Sequence, residues 1–238
     1  MKPCVIRDIQ RPEADLAHAL AGFGVATVHE ASGQLGLMRP DIRPVVPGKR
    51  ICGPAVTALC HPGDNLMLHA AIDVAKPGDV IVVGVKFPNT DGMIGELIAT
   101  QCLARGIVAV ILDAGARDSA ELREMGFPVW SRAISAAGTS KATPGWVNVP
   151  IQCGDAIVRP GDLIVADDDG VVVVSAEDVE EVVRACEARV AKEDANRKRF
   201  QQGEVSLDVS NLRPLLERLG VQTYATAGEA GQLADGVR

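Results

Sequence analysis

Apolar residues in the first half of the chain occur in continuous runs that alternate with segments of helical character. The runs are DVIVVGV, IVAVILDAG and FPVWS, and the segments that precede them are DNLMLHAAIDVA, GMIGELIATQCLARG and SAELREMG. Unbroken apolar runs are typical of strands buried on both faces. Strands that alternate with helices form parallel sheets with right-handed crossovers. The pattern therefore predicts an α/β fold with a parallel core, in which Asp64 caps the first of these three helices.

The pattern changes on either side of this core. Before it, RPEADLAHALAGFG and VATVHEASGQLGLM predict two helices that end near glycines. After residue 140, WVNVPIQC, AIVRPGDLIVA and GVVVVS are β-rich runs separated by Gly-Asp turns, with no helix between them. We therefore expect a mainly antiparallel segment packed on the parallel sheet.

The C-terminal part of the chain is predicted to be helical. Ser175 and Asp178 resemble a capping box that opens a long helix over about 177–201. The second half of this helix, AKEDANRKRFQQG, is highly charged and is expected to face solvent or a neighbouring subunit. A last helix, NLRPLLERLG, precedes a Gly/Ala-rich tail that we expect to fray.

Composition narrows the possible functions. The chain has 238 residues and a formal net charge of −7, which argues against a nucleic-acid-binding protein because phosphate binding needs a basic face. No signal peptide or membrane-spanning run is predicted. The six cysteines include no C-x-x-C pair, so we expect reduced cysteines in a cytoplasmic protein.

Two short stretches are candidates for chemistry. Arg117 and Asp118 follow the run IVAVIL, and ligand sites in α/β sheets lie beyond the carboxyl ends of strands. Asp118 could hold a metal ion beside the Arg117 guanidinium, or it could simply cap the next helix. The backbone amides that follow Gly95 could bind a carboxylate at a helix start, where Glu96 is either a pocket residue or a surface glutamate.

Other catalytic signatures are absent from the sequence. The four histidines form no H-E-x-x-H motif, and no serine occupies a G-x-S-x-G elbow. No glycine fingerprint for nucleotides is present, which argues against dehydrogenases and methyltransferases. The acidic run 167–169 is predicted to be a turn between two strands rather than a calcium loop.

Several stretches together resemble the RraA-like family, and within it the 4-hydroxy-4-methyl-2-oxoglutarate / 4-carboxy-4-hydroxy-2-oxoadipate aldolases. The resemblance runs from roughly residue 20 to residue 200 through GVATVHEASG, GPAVTALCHPGDNLMLHAAI, GELIATQCLARGIVAVILDAGARD, EMGFPVWSRAISAAGTSKAT and RPGDLIVADDDGVVVV. It implies a single αββα sandwich over residues 1–238 that resembles swivelling β/β/α domains, with residues 177–238 as a helical extension.

The resemblance also assigns roles to residues of the two candidate stretches. Asp118 would be the protein ligand of Mg²⁺ or Mn²⁺, and Arg117 would contact the 2-oxo group of the substrate. Gly95, Leu97 and Ile98 would line the site of the substrate carboxylate.

Glu96 stands where the family usually has Asp, and twenty residues separate it from the Arg-Asp pair. By the same resemblance, it would position a water molecule that acts as the base. Glu193 would reach the site of a neighbouring subunit in a homotrimer or homohexamer.

The reaction implied is retro-aldol cleavage of a small 4-hydroxy-2-oxo diacid or triacid to release pyruvate. Oxaloacetate decarboxylation would be a side activity, because it passes through the same pyruvate enolate. The alternative within the family is a non-catalytic regulator that docks on a ribonuclease.

Overall fold

The computed structural model describes residues 1–226, and the chain divides into two compact units, residues 1–189 and residues 190–238. The end of the tail that was expected to fray lies outside the described residues. The single domain with an extension from residue 177 stays a prediction. The strands are β1 Cys4–Val5, β2 Arg43–Pro44, β3 Ile51–Cys60, β4 Val80–Val85, β5 Gly92–Ile94, β6 Ala109–Ala116, β7 Val129–Ile134, β8 Trp146–Val147, β9 Ile151–Cys153, β10 Ala156–Val158, β11 Leu163–Asp167 and β12 Gly170–Val174.

The helices agree with the predicted segments in number and order up to α6, and most of them are shorter than predicted. They are α1 Ala14–Ala21, α2 Val25–Ala31, α3 Leu66–Val74, α4 Glu96–Ala104, α5 Ser119–Met125, α6 Val179–Gln201, α7 Ser206–Val209 and α8 Arg213–Arg218. Within the described residues, none of these helices combines the length and apolar character that a membrane span requires.

The parallel core is confirmed. Strands β3, β4, β6 and β7 lie side by side and parallel, with Val82 of β4 opposite Ile111 of β6. Helices α3, α4 and α5 make the crossovers between them. Every residue of β4 except Val85 is buried, as expected for an apolar run covered on both faces.

The segment GMI before α4 was predicted to be helical, and this is wrong. Residues Gly92–Ile94 form β5, which pairs in parallel with the end of β6. The close pairing at this point excludes side chains, because a Cβ on Gly115 would lie 2.1 Å from the carbonyl oxygen of Thr90. The short strand brings the start of α4 beside the end of β6.

The antiparallel segment after residue 140 is joined to the sheet by hydrogen bonds as well as by packing. Strand β11 pairs antiparallel with both β12 and the first residues of β3, with Leu163 opposite Pro54. The later residues of β3, from Ala55 onward, pair with β4. One ten-residue strand is therefore shared by the parallel and antiparallel parts.

The buried residues of the first unit form three clusters that define an α-β-β-α order of layers. Helices α3–α5 pack on one face of the parallel sheet, and β9–β12 contribute to the cluster on its other face. The second face of β11 and β12 packs against α1, α2 and the beginning of α6. Alternate residues of β11 accordingly point to opposite faces. Ile164 belongs to the cluster against the parallel sheet, and Val165 belongs to the cluster against α1, α2 and α6. The predicted αββα sandwich is confirmed.

The second unit, described through residue 226, contains the end of α6 with α7 and α8. Ion pairs such as Arg199 with Glu204 and Arg213 with Asp208 join its turns. No residue of α7 or α8 is buried. The long helix α6 is confirmed at Val179–Gln201.

All six cysteines are free, and we expect them to react with alkylating agents in the order of their exposure. Burial raises the pKa of Cys52 and of Cys60 to about 12, so both stay as unreactive thiols at pH 8. Iodoacetamide at pH 8 should therefore modify Cys4 of the native protein first and all six cysteines only after denaturation, as measured by intact-protein mass. Native labelling of Cys60 as fast as that of Cys4 would contradict the packing described here.

Candidate active site

A cavity of about 210 Å³ lies at the carboxyl ends of β5 and β6, where the start of α4 meets the start of α3. This is the position at which α/β sheets ordinarily bind ligands. The residues that line it come from distant parts of the sequence: Asn65, His69, Gly92, Met93, Gly95, Leu97, Ile98, Arg117, Gly138, Thr139 and Lys141.

Asp118 lies next to this cavity in a left-handed backbone conformation, with φ 52° and ψ 43°. This conformation costs an ordinary L-residue about 1–2 kcal/mol, although Asp tolerates it better than most. Asp118 occupies the N-cap position of α5, but its side chain makes no capping hydrogen bond there. The structure therefore does not show the alternative in which this carboxylate caps α5.

The carboxylate of Asp118 instead points to the start of α4. Its Oδ2 accepts a hydrogen bond from the backbone N–H of Glu96 at 3.1 Å and lies 3.6 Å from Nε of Arg117. Gly95 makes this approach possible, because a Cβ at that position would lie 2.2 Å from Asp118 Oδ2. Gly95 has an extended backbone, so the glycine is needed here for space and not for its conformational freedom.

The start of α4 offers free donors to the cavity. The backbone N–H groups of Leu97 and Ile98 have no acceptor within the described part of the chain, and the N-cap Gly95 has no side chain to supply one. Unpaired amides and the helix dipole make such a terminus attractive to anions. Gly95, Leu97 and Ile98 all line the cavity, which suits their predicted contact with a carboxylate.

Two predicted residues have a less direct relation to the cavity. The Glu96 carboxylate accepts a hydrogen bond from Thr100 Oγ1 at 2.9 Å and is not among the lining groups. What joins Glu96 to the site in this chain is its backbone amide. Glu193 lies in α6 within the second unit, so its role toward a neighbouring subunit stays a prediction.

The environment of Asp118 fits a divalent ion that takes few protein ligands. Its Oδ2 is held by the Glu96 amide, whereas Oδ1 accepts no hydrogen bond from residues 1–226. No group of three or more Asp, Glu, His or Cys side chains suited to a metal occurs among those residues. Mg²⁺ commonly keeps several waters and binds through one or two carboxylates. Asp118 would hold such an ion through Oδ1.

Sequence reasoning missed the residues that complete the cavity, above all Asn65, His69 and Lys141. The Asn65 side chain is buried, with Nδ2 donating to the Met93 carbonyl at 2.9 Å and Oδ1 without a hydrogen-bond partner among residues 1–226. Burial, followed by the nearby charge of Lys141, lowers the pKa of His69 below its usual value. No local spacing links these residues, because the fold alone brings residues 65–69 and 138–141 together.

The cavity is strongly biased toward anions. Arg117 and Lys141 line it together with the free amides of α4, and none of its lining residues is acidic. A larger cleft of about 480 Å³ lies elsewhere in the first unit, and its lining combines three acids, Asp162, Asp178 and Glu181, with Arg159. The smaller cavity has two cations and no acid in its lining, which makes it the better candidate for a small anion.

Comparison with known proteins identifies relatives of the whole first unit. Residues 14–173 match the family described as RraA-like, Aldolase/RraA. A protein of Halalkalibacterium halodurans named "Putative 4-hydroxy-4-methyl-2-oxoglutarate aldolase" is 30% identical over 211 residues, which cover 89% of this chain and 98% of that protein.

Solved structures show the same fold. An uncharacterized protein of Pseudomonas syringae pv. tomato superposes with a TM-score of 0.77 at 25% identity, covering 85% of this chain and 96% of that one. Streptomyces coelicolor RraAS2, titled an unusual member of the RNase ES inhibitor RraA protein family, superposes with a TM-score of 0.71 at 28% identity, covering 79% and 100%.

We predict that Gly95→Ala displaces the Asp118 carboxylate, because the new methyl group would overlap Oδ2. Mn²⁺ binding, measured by electron paramagnetic resonance, should weaken at least about tenfold, the effect of losing one well-placed interaction with a charged group. Gly24→Ala is the matched control, since Gly24 is also an extended N-cap glycine and its added Cβ meets nothing closer than 3.5 Å. Equal weakening of Mn²⁺ binding in both variants would show a general effect of replacing an N-cap glycine, and would contradict the displacement of Asp118.

Proposed function

Because the chain belongs to the RraA-like family, we propose that it is a divalent-metal-dependent class II aldolase. Its substrates would be 4-hydroxy-4-methyl-2-oxoglutarate or 4-carboxy-4-hydroxy-2-oxoadipate, cleaved to pyruvate plus pyruvate or oxaloacetate. The observation that carries the proposal is an anion-binding cavity in which the α4 amides and Arg117 adjoin a carboxylate, that of Asp118, with one unengaged oxygen. The name of the H. halodurans relative supports the same reaction class.

Substrate binding would begin with the 2-oxo acid end of the molecule. Its carboxylate would accept hydrogen bonds from the N–H groups of Leu97 and Ile98, which have no other acceptor among residues 1–226. The adjoining ketone oxygen would then face Arg117. Asp118 would hold Mg²⁺ or Mn²⁺ beside this oxygen.

Cleavage breaks the bond between C3 and C4. A base removes the proton of the 4-hydroxyl, the C4–O bond becomes a carbonyl, and the electron pair of the broken bond moves to the 2-oxo oxygen. Arg117 would donate to that oxygen as its negative charge builds, which is how fixed donors lower such barriers. When bound, the divalent ion supplies Lewis-acid stabilisation of the same charge. Protonation at C3 then releases pyruvate.

The base is proposed to be a water molecule that Glu96 positions. Glu96 adjoins Asp118 through its backbone amide, and Thr100 holds its carboxylate on the first turn of α4. Oxaloacetate decarboxylation would use the same residues without this base, because loss of CO₂ generates the same pyruvate enolate directly.

The assembly is proposed to be a homotrimer or homohexamer in the cytoplasm. Glu193 would then complete the site of a neighbouring subunit from the charged half of α6. The absence of disulfides among the six cysteines suits a reducing compartment. Neither nucleic acid nor a membrane is expected as a partner, given the net charge of −7.

The second candidate is a regulator that binds a ribonuclease, and the likeness to Streptomyces coelicolor RraAS2 favours it. A docking protein has no need of a carboxylate held in a left-handed backbone beside an anion-binding helix start. Other non-glycine residues, such as Gln34 and Asn148, are also left-handed, so it is the direction of the Asp118 carboxylate toward the start of α4 that favours catalysis.

We expect Asp118→Asn and Arg117→Met to lower the rate of pyruvate release by about 10²–10³, the usual cost of removing one such group. Asn tolerates the left-handed conformation of residue 118, and the Asp118 side chain does not cap α5. Thermal stability should therefore change little. Pyruvate release is measured by coupled oxidation of NADH, and stability by thermal unfolding.

Glu124→Gln is the control for these two variants, since Glu124 is an exposed acid of the same helix to which no role in the site is assigned. It should leave the rate within about twofold, because surface substitutions seldom disturb a structure. A parallel fall of activity and melting temperature in Asp118→Asn would indicate a structural role and contradict the proposal.

Chelation separates the two candidate functions. If the protein is a class II aldolase, EDTA should abolish pyruvate release from 4-hydroxy-4-methyl-2-oxoglutarate, and added Mg²⁺ or Mn²⁺ should restore it. Failure to cleave any 4-hydroxy-2-oxo acid with either metal present would leave the regulator as the better explanation.

A further inference from the structure

Asp64 is a buried carboxylate that accepts hydrogen bonds from an unusual set of neighbours. Its side chain is almost fully buried, and Oδ1 accepts from the N–H of Leu66 at 2.9 Å. Oδ2 accepts from Ser140 Oγ at 2.8 Å and from the N–H groups of Ala142 and Thr143 at 2.7 and 2.8 Å. One side chain therefore joins the start of α3 to a segment more than seventy residues away, residues 138–143.

These hydrogen bonds keep Asp64 ionised without a cation. Burial alone would raise the pKa of Asp64, but donation from Ala142, Leu66, Ser140 and Thr143 outweighs burial and holds the pKa well below its usual range. No ion pair involves Asp64 within the described residues. The negative charge of Asp64 is thus stabilised by the hydroxyl and N–H groups of residues 140–143, the same segment that the charge holds in place.

Backbone contacts reinforce this connection. Ser140 donates its N–H to the Gly63 carbonyl at 2.8 Å, and Asn65 donates its N–H to the Ser140 carbonyl at 3.0 Å. Residues 138–143 are therefore fastened along residues 63–66, with Asp64 at the centre of the contact.

The fastened segment forms part of the cavity wall. Gly138, Thr139 and Lys141 line the cavity, and Lys141 lies between Ser140 and Ala142, two of the residues that donate to Asp64. The ammonium of Lys141 has no acidic partner in residues 1–226. It lies close enough to His69 for its charge to lower the pKa of that histidine. An unpaired cation on a cavity wall without acidic residues is available to an anionic group of a ligand.

We propose that Lys141 binds the substrate carboxylate remote from the 2-oxo group, and that Asp64 is the positioning residue that holds Lys141 there. This inference rests on the proposed function, in which the α4 amides and Arg117 bind the 2-oxo acid end. A second carboxylate then needs its own cation, and Lys141 is the other cation that lines the cavity. The site would accordingly prefer 2-oxo acids with two carboxylates over those with one.

Asp162 offers a control, because it is an equally buried aspartate that also accepts hydrogen bonds from backbone N–H groups and does not line this cavity. Its Oδ2 accepts from the Arg159 N–H at 2.7 Å and its Oδ1 from the Ala176 N–H at 3.1 Å. Asp162 and Asp64 are 3% and 2% exposed. Replacing either with Asn removes acceptors for backbone amides, but of the two only Asp64 holds a segment that lines the 210 Å³ cavity.

The experiment measures binding by calorimetry in the presence of MgCl₂. The probes are pyruvate and 2-oxoglutarate, which has a second carboxylate but lacks the 4-hydroxyl that cleavage requires. Lys141→Met should raise the Kd of 2-oxoglutarate about tenfold or more, the usual effect of losing a charged hydrogen bond, and change that of pyruvate less than about twofold. Asp64→Asn should show the same selective loss, whereas Asp162→Asn should leave both Kd values unchanged.

The double variant tests whether Asp64 acts through Lys141. If it does, Asp64→Asn combined with Lys141→Met should bind 2-oxoglutarate no more weakly than Lys141→Met alone. Additive losses, or an equal loss of pyruvate and 2-oxoglutarate binding in Asp64→Asn, would overturn the positioning role. If Asp64→Asn does not fold, Ser140→Ala removes a single donor from the carboxylate and should give a smaller selective loss, and no such loss would count against the role.

Failure of this inference can be told apart from failure of the proposed reaction. A wild-type protein that binds 2-oxoglutarate selectively but releases no pyruvate from any 4-hydroxy-2-oxo acid would refute the aldolase and support the Lys141 site. A wild-type protein that releases pyruvate, while Lys141→Met keeps full preference for 2-oxoglutarate, would refute the Lys141 site alone.

Discussion

The hydrogen bond from the Glu96 backbone N–H to Asp118 Oδ2 is the contact on which the candidate site depends. It joins the start of one helix to the residue that begins the next, and it directs the acid away from its own helix. Two local features allow it, a left-handed residue at 118 and the absence of a side chain at Gly95. The Arg117 side chain adjoins both of them, so the cation, the free amides and the carboxylate lie together.

The sequence predicted the parts of the molecule that depend on neighbours along the chain. Continuous apolar runs gave the parallel strands, because a strand buried on both faces has no position for a polar residue. The position of Arg117-Asp118 at the end of such a run predicted a site at the carboxyl edge of the sheet. Gly95 lies at the same edge because β5, which the sequence did not predict, leads into α4.

What the sequence did not predict depends on contacts between distant segments. Strand β5 is too short to show a period, and its pairing with β6 decides its conformation. Asp64 was expected to cap α3, but Asn65 occupies the N-cap; Asp64 precedes it, and its Oδ1 accepts from the Leu66 N–H. The partners of Oδ2, in residues 140–143, become visible only when the fold is known. Lys141 lies in a polar segment that would otherwise be read as an ordinary loop.

The space beside Gly95 also provides a way to sort the relatives of this protein. Even a methyl group at this position would overlap the aspartate oxygen, so a larger residue there is incompatible with the acid's present orientation. We therefore expect homologues that carry a side chain at the equivalent position to hold this aspartate in another orientation. One position thus indicates which proteins of this architecture share the local arrangement seen at the start of α4.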